Sequence, residues 1–163
     1  MEKNIDEFEM FITGCAFSNC ADICQAEQEK NIDKSIFCTS PAIVNAAFAC
    51  EVFLKLLLYL NKKDFKKQHG LKSLFDDLPI DAKERIKRYV IEKQGRWCDA
   101  FGIELLEKED KAFNNWRYNY EYDWSKSRTM YADIGFLFAF KDALKNESRI
   151  LLKPREFPNW IDD

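Results

Sequence analysis

Glycine, proline and histidine are scarce in this chain, and each shortage excludes something. Five glycines and four prolines supply too few turn residues for the evenly spaced hairpins of a β-sandwich or barrel, so helices are favoured. A single histidine and the lack of any CxxC pair leave little from which to build a zinc centre. Cys20 and Cys24 share a helical face, but the further ligands of a tetrahedron are not evident. The opening MEKNIDEFEM is acidic and has no apolar signal block, so export is not expected and the cytoplasm is the default. Positive charge is not in excess either. A net charge of −3 argues against a general nucleic-acid coat protein, which needs a broad positive field, while leaving room for a local basic groove. No internal repeat or low-complexity tract is visible.

What is present is the material of one globular domain. A hydrophobic share of 47% against 33% charged residues is a folded rather than a disordered balance, and 163 residues suffice for a real core. Fourteen Phe, six Tyr and four Trp can fill that core and still leave rings for a surface. Residues 1–147 read as a single helical domain and 148–163 as an extended tail carrying two prolines and an exposed Trp160. Cys15, Cys20, Cys24, Cys38, Cys50 and Cys98 read as buried free thiols in a reducing compartment.

Hydrophobic spacing predicts a first helix over Asp6–Glu27, with Phe8, Phe11, Ile12, Cys15, Ala16, Cys20 and Ile23 on one buried stripe. A polar loop, Gln28–Lys34, follows. Ser40-Pro41 is expected to open the second helix, Pro41–Leu60, because Ser caps and Pro suits the first helical position. This helix is apolar on nearly every side and is the expected centre of the bundle. Its length also suits a membrane span, but Glu51 and Lys55 lie in its middle, and each midplane charge costs roughly 2.5–3.5 kcal/mol on insertion scales. No membrane association is expected. Beyond it come a basic connection, Lys62–Lys67, a short helix Leu71–Asp77 ended by Leu78-Pro79, and a helix capped by Asp81 and broken at Gly95. That helix carries Ile86, Tyr89 and Val90, with a basic outer face of Lys83, Arg85, Lys87 and Arg88. Two more helices are predicted, over about Asp99–Tyr118 and Ser127–Asn146.

Three groups of residues can carry chemistry. Glu51 and Lys55 stand one turn apart within the most apolar helix, in the better order for an i,i+4 pair. They form either an ion pair at the bundle edge, with Lys reaching water by its stem, or the polar floor of a groove. Two charges in such a run need an explanation, since unpaired burial is costly. The second group is the segment 113–124, FNNWRYNYEYDW, whose rings alternate with polar residues. Arg117 can hold a phosphate while rings stack on unpaired bases, or the rings can fill a core corner with their polar tips in water. The third is His69, before the short helix, where it either packs and caps or takes part in a site. Lys62, Lys63, Lys66 and Lys67 read as a solvated turn, with a phosphate patch as the alternative.

Taken in order, Ala47-x3-Glu51-x3-Lys55, His69-Gly70-Leu71-x2-Leu74 and Phe113-x3-Arg117-Tyr118-x-Tyr120-Glu121 make the chain resemble HEPN domains over about Ile36–Lys145. These are compact helical bundles of prokaryotic toxins, abortive-infection proteins and RNA-directed defence systems. The resemblance implies an antiparallel, all-α bundle of five to six helices and a homodimer whose groove joins two copies of the Arg segment. In catalytic members, Arg is followed after four to six residues by His, and RNA is cleaved without metal or cofactor by its own 2′-hydroxyl, with Arg stabilising the phosphorane. Arg117 fits the first position, but the allowed spacings fall on Tyr122, Asp123 and Trp124. Proton transfer would then need Glu121, Tyr122, Asp123 or a spatially returning His69, and loss of ordinary catalysis is the simpler expectation. Arg117 and Glu121 are thus the candidate catalytic residues, and Glu51, Lys55, Asn119, Tyr120 and His69 the candidate RNA-binding ones. The expected function is a degenerate HEPN-like dimer binding RNA, a nucleotide or a defence partner. A metal-independent ribonuclease is one alternative, and an interaction module paired with a nucleotidyltransferase-like protein is another.

Overall fold

The computed structural model describes residues 5–30, 35–65, 69–95, 104–108 and 132–152, with residues 35–37 described by backbone alone. Every regular element among them is an α-helix: α1 Glu7–Lys30, α2 Ser35–Leu60, α3 Leu71–Asp76, α4 Ile80–Gln94 and α5 Ile134–Leu151, with a further helical stretch at 104–108. The expected all-α bundle of five to six helices is what the chain forms.

The α1 helix begins where Asp6 Oδ1 accepts the backbone N–H groups of Phe8 at 2.9 Å and Glu9 at 3.2 Å, two donors that the first turn would otherwise leave open. Its buried stripe is Phe11, Gly14, Cys15, Ser18 and Ala21, which corrects the expected one. Ala16 and Cys20 are exposed, and Ile23 is 64% exposed. Small residues, Gly14, Cys15, Ser18 and Ala21, stand among the rings on the face toward α2, and at Gly14 the two helices approach closely. A Cβ on Gly14 would lie 2.5 Å from Cε1 of Phe53. The antiparallel register is fixed by Phe11 against Phe53 (ring centroids 5.9 Å apart) and Phe17 against Phe48 (4.5 Å, edge-on).

The α2 helix starts at Ser35, and Pro41 lies inside it, so Ser40-Pro41 does not open the helix as expected. Proline forfeits one backbone hydrogen bond, but burial of Ala42, Ile43, Ala46 and Ala47 directly after it holds the turn. Length and composition would let this helix cross a membrane. Here it is the core helix, packed against α1, α3 and α5.

Helix α4 runs antiparallel to α5. Its N-cap position is Pro79, with no side-chain cap, so Asp81 does not cap it as expected. Asp81 sits in the first turn and accepts from Arg85 Nη1 at 3.0 Å, a hydrogen bond that pulls its carboxyl below the usual range. Gly95 ends the helix at φ 65°, the left-handed conformation that glycine adopts without cost. Most of the basic outer face is occupied: Arg85 is bidentate to the nearly buried Glu147 (Nη2–Oε1 2.7 Å, Nε–Oε1 3.0 Å), Lys83 donates to the Asp76 carbonyl, and Lys87 pairs with Glu84.

Helix α5 begins at Ile134, capped by Asp133 Oδ1 on the Phe136 N–H at 2.9 Å. It continues to Leu151 rather than stopping at Asn146, so residues 148–151 belong to the bundle and not to an extended tail. Glu147 and Ser148 are buried, which is why the helix persists. Lys141, in its middle, is fully buried. Its Nζ donates to Ser18 Oγ at 3.0 Å and Asp22 Oδ1 at 2.7 Å, and also pairs with Asp142 at 3.0 Å. Burial pulls its pKa down, but Asp142 and Asp22 more than offset this and hold it above the usual lysine value.

Candidate functional site

The last turns of α2 and the chain entering α3 bring three of the sequence-selected residues together. Glu51 is only 7% exposed, since α2 is surrounded on the sides where Ala47, Leu54 and Leu58 are buried. Lys55, one turn on, gives its ammonium to Glu51 Oε1 at 2.6 Å. His69 stands just ahead of α3, and α3 is anchored by buried Leu71, Leu74 and Phe75, the last edge-on to Phe140. That anchoring holds the imidazole over the end of α2, with Nδ1 2.9 Å from the same Glu51 oxygen and 3.3 Å from Lys55 Nζ.

This geometry selects a tautomer. A neutral imidazole has one N–H and one lone pair. Two lone pairs facing each other at 2.9 Å would repel, so Nδ1 carries the hydrogen and donates it to Glu51. Lys55 then uses its short bond to the carboxylate, not its longer approach to the ring. Nε2 is left with its lone pair on a side chain that is 76% exposed. Such a carboxylate-held ring has its inner nitrogen fixed and its far nitrogen open to an incoming group. The Lys55 ammonium and the ring thus share one carboxylate oxygen, with the ring on the solvent side.

The connection before His69 is less functional than its charge suggests. Lys62 and Lys63 are exposed, but Lys62 adopts φ 58° to turn the chain off α2, and Lys63 Nζ donates to the Asp77 carbonyl at 2.6 Å. Lys66 and Lys67 lie outside the described residues, as do Arg117, Asn119, Tyr120, Glu121, the rest of segment 113–124, and Cys98. Among the described residues no disulfide is formed by Cys15, Cys20, Cys24, Cys38 or Cys50, and no group of three or more His, Cys, Asp or Glu is arranged to hold a metal ion. Cys20 is exposed and Cys24 and Cys38 are half-buried, so among the described cysteines only Cys15 and Cys50 are the buried thiols expected.

Sequence reasoning had Glu51 and Lys55 as a pair because the i,i+4 spacing dictates it. The Lys141 cluster was missed, although Ser18 and Asp22 stand one turn apart on α1 and Lys141 ends an apolar run. No family model matches this chain, and neither a curated protein nor a solved structure matches it.

Proposed function

We propose that the chain is a HEPN-like homodimer that binds RNA or a nucleotide through its phosphate. Lys55 and His69 receive the phosphate above Glu51, and Arg117 supplies the further guanidinium. The observation behind this reading is the exposed imidazole seated by Nδ1 on a nearly buried carboxylate that also grips Lys55. A purely structural ion pair needs no such ring, whereas a phosphate site gains a solvent-facing ring nitrogen beside the Lys55 ammonium. Glu51 acts as the support: it fixes ring and ammonium and touches no ligand.

Fluorescence anisotropy with a labelled single-stranded RNA tests this. Arg117→Ala and a Lys55→Met/His69→Ala double variant are each expected to weaken binding at least ~10-fold, as loss of a charge-assisted hydrogen bond does, and to flatten its salt dependence. Absence of RNA and nucleotide affinity in the wild type, or unchanged affinity in both variants, defeats the reading.

One observation favours a second reading, the metal-independent ribonuclease. Tyr122, Asp123 and Trp124 stand where the motif histidine would be, but His69 Nε2 is open to accept a 2′-hydroxyl proton with Glu51 behind it. Cleavage of single-stranded RNA in the presence of a chelator, lost in His69→Ala and in Arg117→Ala, would establish it. Tight binding without cleavage would leave the non-catalytic reading.

A further inference from the structure

A second cleft lies where the C-terminal ends of α1 and α4 meet the start of α5. It measures about 500 Å³, and its lining includes Gln25, Glu29, Gln94, Gly135, Phe138 and Asp142, none of which belongs to the Glu51–Lys55–His69 cluster. The volume is in the range of small-ligand sites, which join apolar walls to a few placed polar groups.

Gly135 explains how one of these groups is placed. It stands in the first turn of α5, where its φ is not positive and a glycine costs helix stability. A Cβ there would meet the Gln94 Oε1 at 2.9 Å. The missing side chain lets the Gln94 carboxamide lie against the α5 backbone, at the cleft, where it has no hydrogen-bond partner among the described residues. A second amide is also incompletely used: Gln25 gives its Nε2 to Glu29 at 3.0 Å, but its Oε1 is shut off from water with no partner. Phe138 adds a half-buried ring, with Lys141 Nζ 5.0 Å from its centroid.

An unpaired carboxamide offers one donor and one acceptor side by side, the pattern that pairs bidentately with the N6/N7 edge of adenine. An aromatic ring beside it supplies stacking, which favours any base. The carboxylates of Glu29 and Asp142 outnumber the Lys93 ammonium among the lining charges, which disfavours phosphate and favours a donor such as an exocyclic amino group. We infer that this cleft binds an adenine base, as the free nucleoside or as an unstacked adenosine, with Gln94 reading the base edge and Phe138 stacking on it.

Isothermal titration of the full chain with adenosine, AMP and uridine tests this directly. Saturable adenosine binding is expected, weaker for AMP because of the acidic rim and weaker for uridine because its edge lacks the N6 donor. Gln94→Ala and Gly135→Ala should each reduce adenosine affinity ~10-fold or more, the cost of an unmade pair of hydrogen bonds, with unchanged far-UV circular dichroism. The inference is overturned by no saturable adenosine binding up to millimolar concentration, or by equal affinity for adenosine in both variants, or by AMP and uridine binding as well as adenosine. Adenosine has no phosphate and the variants lie outside the Glu51–Lys55–His69 cluster, so this failure would leave the phosphate reading standing.

Discussion

Removing the ammonium of Lys141 should destabilise the protein less than removing the carboxylates it faces, and the structure gives the ordering. Lys141 is 0% exposed, whereas the side chains of Asp22 and Asp142 are 51% and 46% exposed. Lys141→Met keeps the stem volume and leaves two carboxylates that water can reach. The loss is then one set of charge-assisted hydrogen bonds, worth ~1.5–3 kcal/mol, partly offset by the burial cost that no longer applies, or about 1–2 kcal/mol net. An Asp22→Asn/Asp142→Asn double variant instead strands an ammonium with only neutral partners, which costs about 3–5 kcal/mol when a buried charge loses its partner. Urea unfolding followed by circular dichroism at pH 7 measures both. The pH dependence carries its own sign. The folded pKa of Lys141 is raised, so its contribution is fully present below the unfolded value of ~10.4 and is lost as pH rises through the folded one. The gap between wild type and Lys141→Met should be flat from about pH 6 to 9 and close above about pH 10.5. A double variant no less stable than Lys141→Met, or a gap that widens in alkali, would refute the reasoning.

Two further substitutions probe the packing. Gly14→Ala brings a methyl within 2.5–2.9 Å of the Phe53 ring, which is fully buried against Phe11 and cannot yield. Overpacking costs about 1–3 kcal/mol against a propensity gain of about 1 kcal/mol, so thermal melts should show a lower Tm, and a Phe53→Leu background should recover part of the loss. Glu147→Ala leaves the bidentate Arg85 guanidinium without its α5 partner and opens a cavity at a buried position. Since Arg85 is 42% exposed and can turn to water, the loss should stay near ~1–2 kcal/mol in denaturant unfolding, and Arg85→Ala should cost more, about 3–5 kcal/mol, because it strands the Glu147 carboxylate, which is only 3% exposed.

The fold was legible where large apolar residues carry the period and obscure where small ones do. Phe136, Leu137, Phe140 and Leu144 announce α5 and are buried as the spacing requires. Gly14, Ser18 and Ala21 on α1 are buried too, but a hydrophobic pattern gives them little weight, so the expected stripe drifted toward Ala16, Cys20 and Ile23. The same blindness affected helix ends. A serine before a proline is a good start signal, yet burial beyond Pro41 outweighed it. The cap expected at Asp81 lost to Pro79, which takes the N-cap position, and Asp81 instead pairs with Arg85 one turn on in the same helix.

The candidate site shows the same division between local and distant information. Glu51 and Lys55 are four residues apart on one helix, so the covalent geometry of that helix alone makes them neighbours. His69 joins them only because α3 is pinned to the core by Leu71, Leu74 and Phe75, a constraint spread over three helices. A sequence pattern therefore identifies the pair and leaves the ring ambiguous between a packed histidine and a working one. What the structure adds is which nitrogen the carboxylate claims. With Glu51 on Nδ1, the ring is fixed at its inner atom and open at its outer one, so Nε2 is the atom turned to solvent and the acid lies behind it.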